Sequence, residues 1–305
     1  MLVRDAFRAT LPSSDLPTAM PKDNPSRPQA MNRPAGHGSA TPGASAVVDE
    51  PPFVIELDPS LPVAAAALHD GHHVRAEVRA ALALGDRERL REEDPFTAGW
   101  TEVVGTRLVA RRSRFEVDLN RPPDGAVYRT PEQSWGLKVW REGPDEGLVK
   151  RSLEIHESFY AEARRVLSVL EERWERFVVL DIHSYNHRRS GAAGETAPQD
   201  ENPEVNVGTG SLDRDRWGAV VDRFMRDMRG GGELLDVREN VKFRGGYFSS
   251  WVHETFPSSG CALAVEFKKV FMDEWSGEPY ESRIAAIKRR LAATVPGLVE
   301  ELRRS

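Results

Sequence analysis

Four of the eight histidines in this chain lie at the ends of apolar runs that are typical of buried strands: His69, His72, His183 and His187. Ligands of open α/β sheets bind beyond the carboxyl ends of strands, so histidines placed there are candidates for metal ligation. Two histidines three residues apart, with a third from a distant strand, would hold a catalytic zinc ion and leave one position for water. His69, His72 and His183 are therefore candidate metal ligands, although a lone strand histidine such as His183 is often a core residue. The alternative is that residues 69–73 form a polar turn whose histidines face solvent.

One carboxylate interrupts the apolar segment at residues 261–267, and it belongs to Glu266. Burying a charged carboxylate costs several kcal/mol unless the group is paired or its pKa rises. A carboxylate with a raised pKa beside an activated water is suited to act first as a general base and then as a general acid. The alternative is a structural Glu266 that pairs with Lys268 or Arg244.

A polar sequence, Asp-Leu-Asn-Arg, occupies residues 118–121 at the end of an alternating apolar segment. An arginine at the end of a strand can bind a carboxylate through two hydrogen bonds, and a neighbouring asparagine can add another. Asn120 and Arg121 are therefore candidates for binding a substrate carboxylate. The alternative is a surface turn that is rich in polar residues.

Composition and charge exclude several other classes of protein. The net charge of −6 argues against a general nucleic-acid-binding protein, and no apolar run approaches the ~18 residues of a membrane helix. The N-terminus lacks the apolar core of a secretory signal peptide. A single cysteine, Cys261, excludes a disulfide framework and a cysteine-rich zinc site, and it fits a reducing cytoplasm. Any metal must then be held by histidine and carboxylate.

The order of apolar patterns indicates one α/β domain behind an N-terminal tail. Residues 1–50 are rich in Pro, Ser, Ala and Gly and are predicted to be disordered, and residues 51–305 are predicted to form the catalytic domain. Strands are expected at 54–57, 61–68, 101–110, 114–119, 177–180, 205–210 and 261–267, and helices at 74–92, 148–177, 213–229 and 281–304. This alternation predicts a mixed, mostly parallel sheet that is flanked by helices.

Taken together, these segments resemble the motifs of the zinc carboxypeptidases, and more closely those of a related family, the N-formylglutamate amidohydrolases. The His-Asp-Gly turn at residues 69–71 resembles the His-Ser-Gly of that family. Four later segments resemble its other motifs in the same order along the chain: 118–122, 181–184, 206–209 and 240–247. The resemblance covers roughly residues 60–275.

The resemblance implies a phosphorylase/hydrolase-like, zinc-carboxypeptidase-like α/β fold with a zinc site. It implies His69 and His183 as ligands, with His72, Asp70 or an acidic residue elsewhere as the other ligand, and Glu266 as the general base. It implies that the substrate is bound by the segment with Asp118, Asn120 and Arg121, and by Tyr247, for which packing of the aromatic ring is an equal alternative. Either Arg112 or Arg114 would polarise the scissile carbonyl group.

The expected function is a zinc-dependent hydrolase that cleaves an amide bond next to a free carboxylate. The substrate would be a small N-acyl amino acid, such as N-formylglutamate, or the C-terminal residue of a peptide, with no nucleic-acid or membrane partner. The alternative from a different class is a non-catalytic binding module with a metal-free pocket for a carboxylate. Glu266 argues against it, because a pure binding protein gains nothing from a buried base.

Overall fold

Within residues 50–230 and 235–304, which the computed structural model describes, seven strands form one mixed sheet. The tail predicted for residues 1–50 lies outside the described residues except for Glu50, and the described residues belong to one compact unit, Val48–Ser305. The sheet order is β1-β3-β2-β4-β7-β5-β6, with antiparallel pairing between β1 and β3 and between β5 and β7. The strands are β1 (Phe53–Glu56), β2 (Val63–Ala67), β3 (Thr106–Ala110), β4 (Phe177–Tyr185), β5 (Val205–Gly208), β6 (Val237–Glu239) and β7 (Gly260–Lys268).

Helices cover both faces of this sheet. They are α1 (Ala76–Ala81), α2 (Asp86–Glu92), α3 (Thr97–Thr101), α4 (Glu146–Trp174), α5 (Arg214–Arg229), α6 (Tyr247–Thr255) and α7 (Glu281–Arg304), with a 3₁₀ turn at Pro131–Ser134. The side chains of Val178 and Leu180 pack in one core with α5 and α7, whereas Phe177 and Val179 pack in another with α4 and α6. The strands are apolar on both faces because each face is covered by helices. The helices are amphipathic because only one side of each meets the sheet.

Parallel pairing brings the carboxyl ends of β2, β4 and β7, which are rich in polar residues, to the same end of the sheet. β4 lies between β2 and β7 and runs parallel to both, and its His183 is the register partner of Glu266 on β7. Neighbouring strands lie about 4.8 Å apart, so these two residues, which are 83 positions apart in sequence, start from adjacent backbone positions. The site described below is built at this edge.

The mixed, mostly parallel α/β fold predicted from the sequence is confirmed, but several local predictions are wrong. Residues 114–119 form turns, because both the apolar and the polar side chains of this segment are buried and the alternation does not mark a solvent-facing strand. The helix predicted at 74–92 is two short helices, interrupted where Leu82 forms a β-bridge with Trp140. Of the strand predicted at 101–110, only Thr106–Ala110 is a strand. Among the described residues, no helix is both long and apolar enough to cross a bilayer.

His253 on α6 ties that helix to the central sheet. Its Nε2 accepts a hydrogen bond of 2.9 Å from the backbone N–H of Ala262 on β7. The pairing of β7 with β5 ends at Ala264, so Ala262 has no partner on β5. Its Nδ1 lies 2.9 Å from the hydroxyl of Ser211. Burial lowers the pKa of His253 to about 4, so the ring is neutral in the folded protein at neutral pH.

This shifted pKa predicts a loss of stability in mild acid. An unfolded histidine has a pKa of about 6.5, so between pH 6.5 and 4 the unfolded chain binds a proton that folded His253 does not. The contribution of neutral His253 to the free energy of unfolding is complete above pH 6.5 and is lost as the pH falls towards 4. Between pH 7 and pH 4.5, we expect the free energy of unfolding to fall by up to about 3 kcal/mol more in the parent than in His253→Gln. Urea denaturation at both pH values measures this difference, with His73→Gln as an exposed control, and equal losses in parent and variant would contradict the assignment.

Candidate active site

Three buried side chains converge at the carboxyl end of β4. The Nδ1 atoms of His69 and His183 lie 3.1 Å apart, and Oδ2 of Asp94 lies 3.4 Å from the first and 3.1 Å from the second. All three side chains are almost fully buried. They form the one group of three among the described residues whose ligand atoms could together hold a metal ion.

A second layer of carboxylates fixes the orientation of both imidazoles. Nε2 of His69 lies 2.7 Å from Oδ1 of Asp118, and Nε2 of His183 lies 2.8 Å from Oδ1 of Asp181. Because a carboxylate only accepts hydrogen bonds, each Nε2 carries a hydrogen, and in the neutral ring each Nδ1 then presents a lone pair to the centre of the group. Metal-binding histidines in proteins are commonly oriented by such carboxylates. The hydroxyl of Ser184 donates to the second oxygen of Asp94 at 3.1 Å and so orients this side chain as well.

The spacing and the charge of these three atoms fit a tetrahedral divalent metal. Two ligands at about 2.0–2.1 Å from zinc and at a tetrahedral angle lie about 3.3 Å apart, close to the observed separations. Burial alone would raise the pKa of Asp94, but its contacts with His183 and His69 hold it well below the usual range, so Asp94 is an anion. Two lone pairs and an anionic oxygen so close together require a positive charge between them. The donor set, two nitrogens and one oxygen, is typical of catalytic zinc sites.

Asp94 reaches this position through contacts that the sequence pattern does not reveal. Its backbone N–H donates to the carbonyl oxygen of His69 at 2.8 Å. The ammonium group of Lys269, directly after β7, donates to the carbonyl oxygens of Arg91 and Glu93 at 2.6 and 2.7 Å and holds the preceding residues. In the sequence, the acidic run 92–94 before a proline resembles a solvated loop, and the prediction from sequence did not include Asp94.

Glu266 lies beside this group and has no hydrogen bond or ion pair with any residue in the described part of the chain. Its backbone is paired with His183 on β4 and with Asn206 on β5, and its side chain lines the same pocket as His69 and Asp94. Burial is the main cause that raises the pKa of Glu266 to about 7, and His183 opposes it. A carboxyl group that changes protonation near neutral pH can accept and return a proton.

The pocket in front of these residues has a volume of about 340 Å³, which suits a small molecule. Its floor is formed by His69, Asp94, His183 and Glu266, and its rim includes Asn120, Trp135 and Arg244. Trp135 is 48% exposed, and its ring lies over the guanidinium group of Arg114, with 4.7 Å from Cζ to the ring centroid.

Of the two arginines predicted to polarise the carbonyl group, the structure brings one into the pocket. Arg114 lines it, held by Asp118 at 2.8 Å and by the hydroxyl of Tyr128 at 3.0 Å. Arg112 is not among the lining residues: its guanidinium donates to the carbonyl oxygen of Glu50 at 3.2 Å and lies 3.8 Å from the carboxylate of Glu116.

Asn120 lines the pocket, and it also caps the N-terminal end of helix α6 from another part of the chain. Its backbone carbonyl accepts from Tyr247 N–H at 3.3 Å, and its Oδ1 accepts from Phe248 N–H at 3.0 Å. Nδ2 of Asn120 lies 3.3 Å from Nε2 of His183. Because that Nε2 donates to Asp181, it cannot accept from Asn120, whose amide hydrogens then have no acceptor among the described residues.

Besides Arg112 and Arg121, which do not line the pocket, four predicted residues lie apart from this arrangement. His72 is part-exposed and contacts Glu93 and Arg89, and Asp70 accepts from the N–H of Ala98 at 3.0 Å; neither belongs to the metal-binding group. Asp118 lies beneath the pocket, fully buried, and its oxygens are occupied by protein donors, so it orients His69 and offers nothing to a substrate. Tyr247 packs its ring against those of His156 and Tyr160 and does not line the pocket.

Comparison with known proteins relates the chain to one family. The family model described as N-formylglutamate amidohydrolase matches residues 61–272. None of the curated proteins that were compared matches the chain.

Solved structures show the same fold. An N-formylglutamate amidohydrolase from Ralstonia eutropha JMP134 superposes with a TM-score of 0.64 at 19% identity, covering 83% of this chain and 99% of that one. A gene product from Agrobacterium tumefaciens superposes with a TM-score of 0.56 at 14% identity, covering 81% and 95%. At these identities the likeness establishes the fold alone. The family match spans more than half of the sequence and includes the segments that supply His69, Asp94, His183 and Glu266. The chain therefore belongs to the N-formylglutamate amidohydrolase family.

Proposed function

We propose that this protein is a zinc-dependent amidohydrolase that cleaves an amide bond next to a free carboxylate in a small N-acyl amino acid. The observation that supports this most directly is the convergence of two Nδ1 atoms and one carboxylate oxygen, within 3.4 Å of one another, beside Glu266, which has no partner among the described residues. The size of the pocket and the family to which the chain belongs favour a small substrate over a protein.

The residues have distinct parts in this hydrolysis. Zn²⁺ held by His69, Asp94 and His183 would supply a Lewis acid that lowers the pKa of water and polarises the carbonyl group. Glu266 takes a proton as water attacks the amide carbon, and it delivers that proton to the nitrogen as the C–N bond breaks. The products are a carboxylic acid and a free amine.

Arg114 supplies fixed positive charge where negative charge develops on the carbonyl oxygen. Asp118 and Tyr128 hold its guanidinium group before substrate arrives, so no reorganisation is needed during the reaction. Asn120 donates its amide hydrogens to the substrate carboxylate. The bound carboxylate then fixes which amide bond lies beside Glu266 and Arg114.

The competing function is that of a binding module without catalysis. It would keep a carboxylate pocket but would have no use for a half-buried Glu266 that pairs with no described residue, or for lone pairs that converge on a cation. The two functions differ in metal content and in turnover, and the next two predictions separate them.

Removal of the Asp94 carboxylate should abolish metal binding. We expect about one zinc per chain in the parent and less than a tenth of that in Asp94→Ala, because two neutral imidazoles alone bind the ion weakly. His72→Ala is the matched control and should keep its zinc, since His72 lies outside the group. Elemental analysis after dialysis measures this. Zinc lost from His72→Ala but kept by Asp94→Ala would refute the ligand set.

Loss of the Glu266 proton carrier should separate catalysis from metal binding. Glu266→Gln should lower kcat by at least about 100-fold, the usual scale of general acid–base catalysis, while its zinc content stays that of the parent. The measurement is release of formate or acetate from a panel of N-formyl and N-acetyl amino acids. Glu254→Gln on the exposed side of α6 controls for the substitution itself. Retention of more than a few per cent of activity in Glu266→Gln would exclude this role.

A further inference from the structure

We propose that Arg244, together with Asn120, binds the substrate's carboxylate, and that Arg121, which the motif resemblance points to, does not. This inference rests on the proposed function and adds the residue that supplies the cation at the carboxylate subsite. It follows from how the two arginines are engaged and from how the loop that carries Arg244 is held.

The guanidinium group of Arg121 is already occupied within the protein. It lies over the ring of Tyr128, with 4.7 Å from Cζ to the ring centroid, and its Nε is 3.7 Å from the carboxylate of Asp118. It also lies 6.0 Å from the ring centroid of Trp135, and it is not among the residues that line the pocket. Its surroundings are those of a packing and charge-balancing residue.

Arg244, in contrast, lines the pocket and its side chain forms no hydrogen bond or ion pair with any residue in the described ranges. The neighbouring cations of the rim are engaged: Lys242 donates to Oδ1 of Asn202 at 2.6 Å, and Arg189 lies 3.6 Å from the carboxylate of Glu92. The rim therefore holds one exposed guanidinium whose positive charge no described carboxylate balances.

Arg244 lies in the loop at residues 240–246, between β6 and α6. The backbone of this loop is held by several hydrogen bonds, which a solvent-exposed surface loop does not require. The fully buried side chain of Asn206 accepts from Lys242 N–H at 2.8 Å and donates to the carbonyl oxygen of Phe243 at 2.8 Å. The N–H of Gly210 donates to the carbonyl oxygen of Arg244 at 2.6 Å, and a Cβ at Gly210 would lie 2.8 Å from Cβ of Arg244. The loop is thus docked on the end of β5.

The same loop is pressed against Asn120. A Cβ at position 246 would lie 2.4 Å from the Asn120 amide, so only glycine fits, and Asn120 in turn caps α6 directly after the loop. Arg244 is two residues from this contact, and Arg244 and Asn120 line the same pocket. A guanidinium and an amide donor on one side of a cleft can together satisfy both oxygens of a carboxylate.

The test compares two variants on two substrates. N-formyl-L-glutamate has a free α-carboxylate, and in N-formyl-L-isoglutamine this group is an amide. We expect Arg244→Ala to raise KM for N-formyl-L-glutamate at least 30-fold with kcat within threefold, and to leave the weak activity on N-formyl-L-isoglutamine unchanged. Arg121→Ala should change both KM values less than threefold, and Arg244→Lys should recover part of the loss. A large rise of KM in Arg121→Ala, with little change in Arg244→Ala, would overturn the inference.

A binding measurement keeps this test independent of turnover. L-Glutamate, one expected product, is titrated by calorimetry into zinc-loaded parent, Arg244→Ala and Arg121→Ala, each first shown to unfold at the parent's temperature. We expect at least tenfold weaker binding for Arg244→Ala alone. Equal binding in parent and Arg244→Ala, or none in the parent, would overturn the inference. A parent that binds L-glutamate through Arg244 but hydrolyses no N-acyl amino acid would instead refute the proposed function and leave the carboxylate subsite standing.

Discussion

Two imidazole nitrogens and a carboxylate oxygen held 3.1 to 3.4 Å apart, almost without solvent, form the interaction on which the rest of this site depends. Such a group is stable only if positive charge lies at its centre, because buried lone pairs and a buried anion repel one another strongly in a medium of low dielectric constant. A divalent cation at this position balances the charge, and a cation held in a pocket open to a small molecule is positioned for catalysis.

Most other polar groups nearby serve to keep these three atoms in place. Asp118 and Asp181 fix the two imidazoles, and each is satisfied in turn: Asp118 by Arg114 and Tyr128, and Asp181 by the hydroxyl of Ser249 at 3.0 Å. Burial would raise the pKa of Asp118, but Arg114 and His69 lower it well below the usual range. Buried carboxylates that are fully hydrogen-bonded stay ionised and rigid.

Glu266 differs from these carboxylates in lacking a hydrogen-bond or ion-pair partner among the described residues. Burial raises its pKa to about 7, because no donor compensates for the loss of hydration. Asn120 illustrates a similar division within one side chain. Its carbonyl oxygen caps α6 while its amide nitrogen lies 3.3 Å from Nε2 of His183, so the residue that holds this helix also lines the pocket.

The sequence by itself determined the α/β class, most strands of the central sheet but not β6, and the placement of His69, His183 and Glu266 near strand ends, because apolar runs that stop in polar residues are local patterns. It did not determine Asp94, and it favoured His72 and Arg121 over residues that lie in the pocket. Asp94 is positioned by Lys269 from the end of β7 and by the backbone of His69, and Arg244 is positioned by Asn206 and the end of β5. These contacts join segments far apart in the chain. Only the tertiary structure decided them, since side-chain partners across a sheet edge depend on register and docking, which no local spacing encodes.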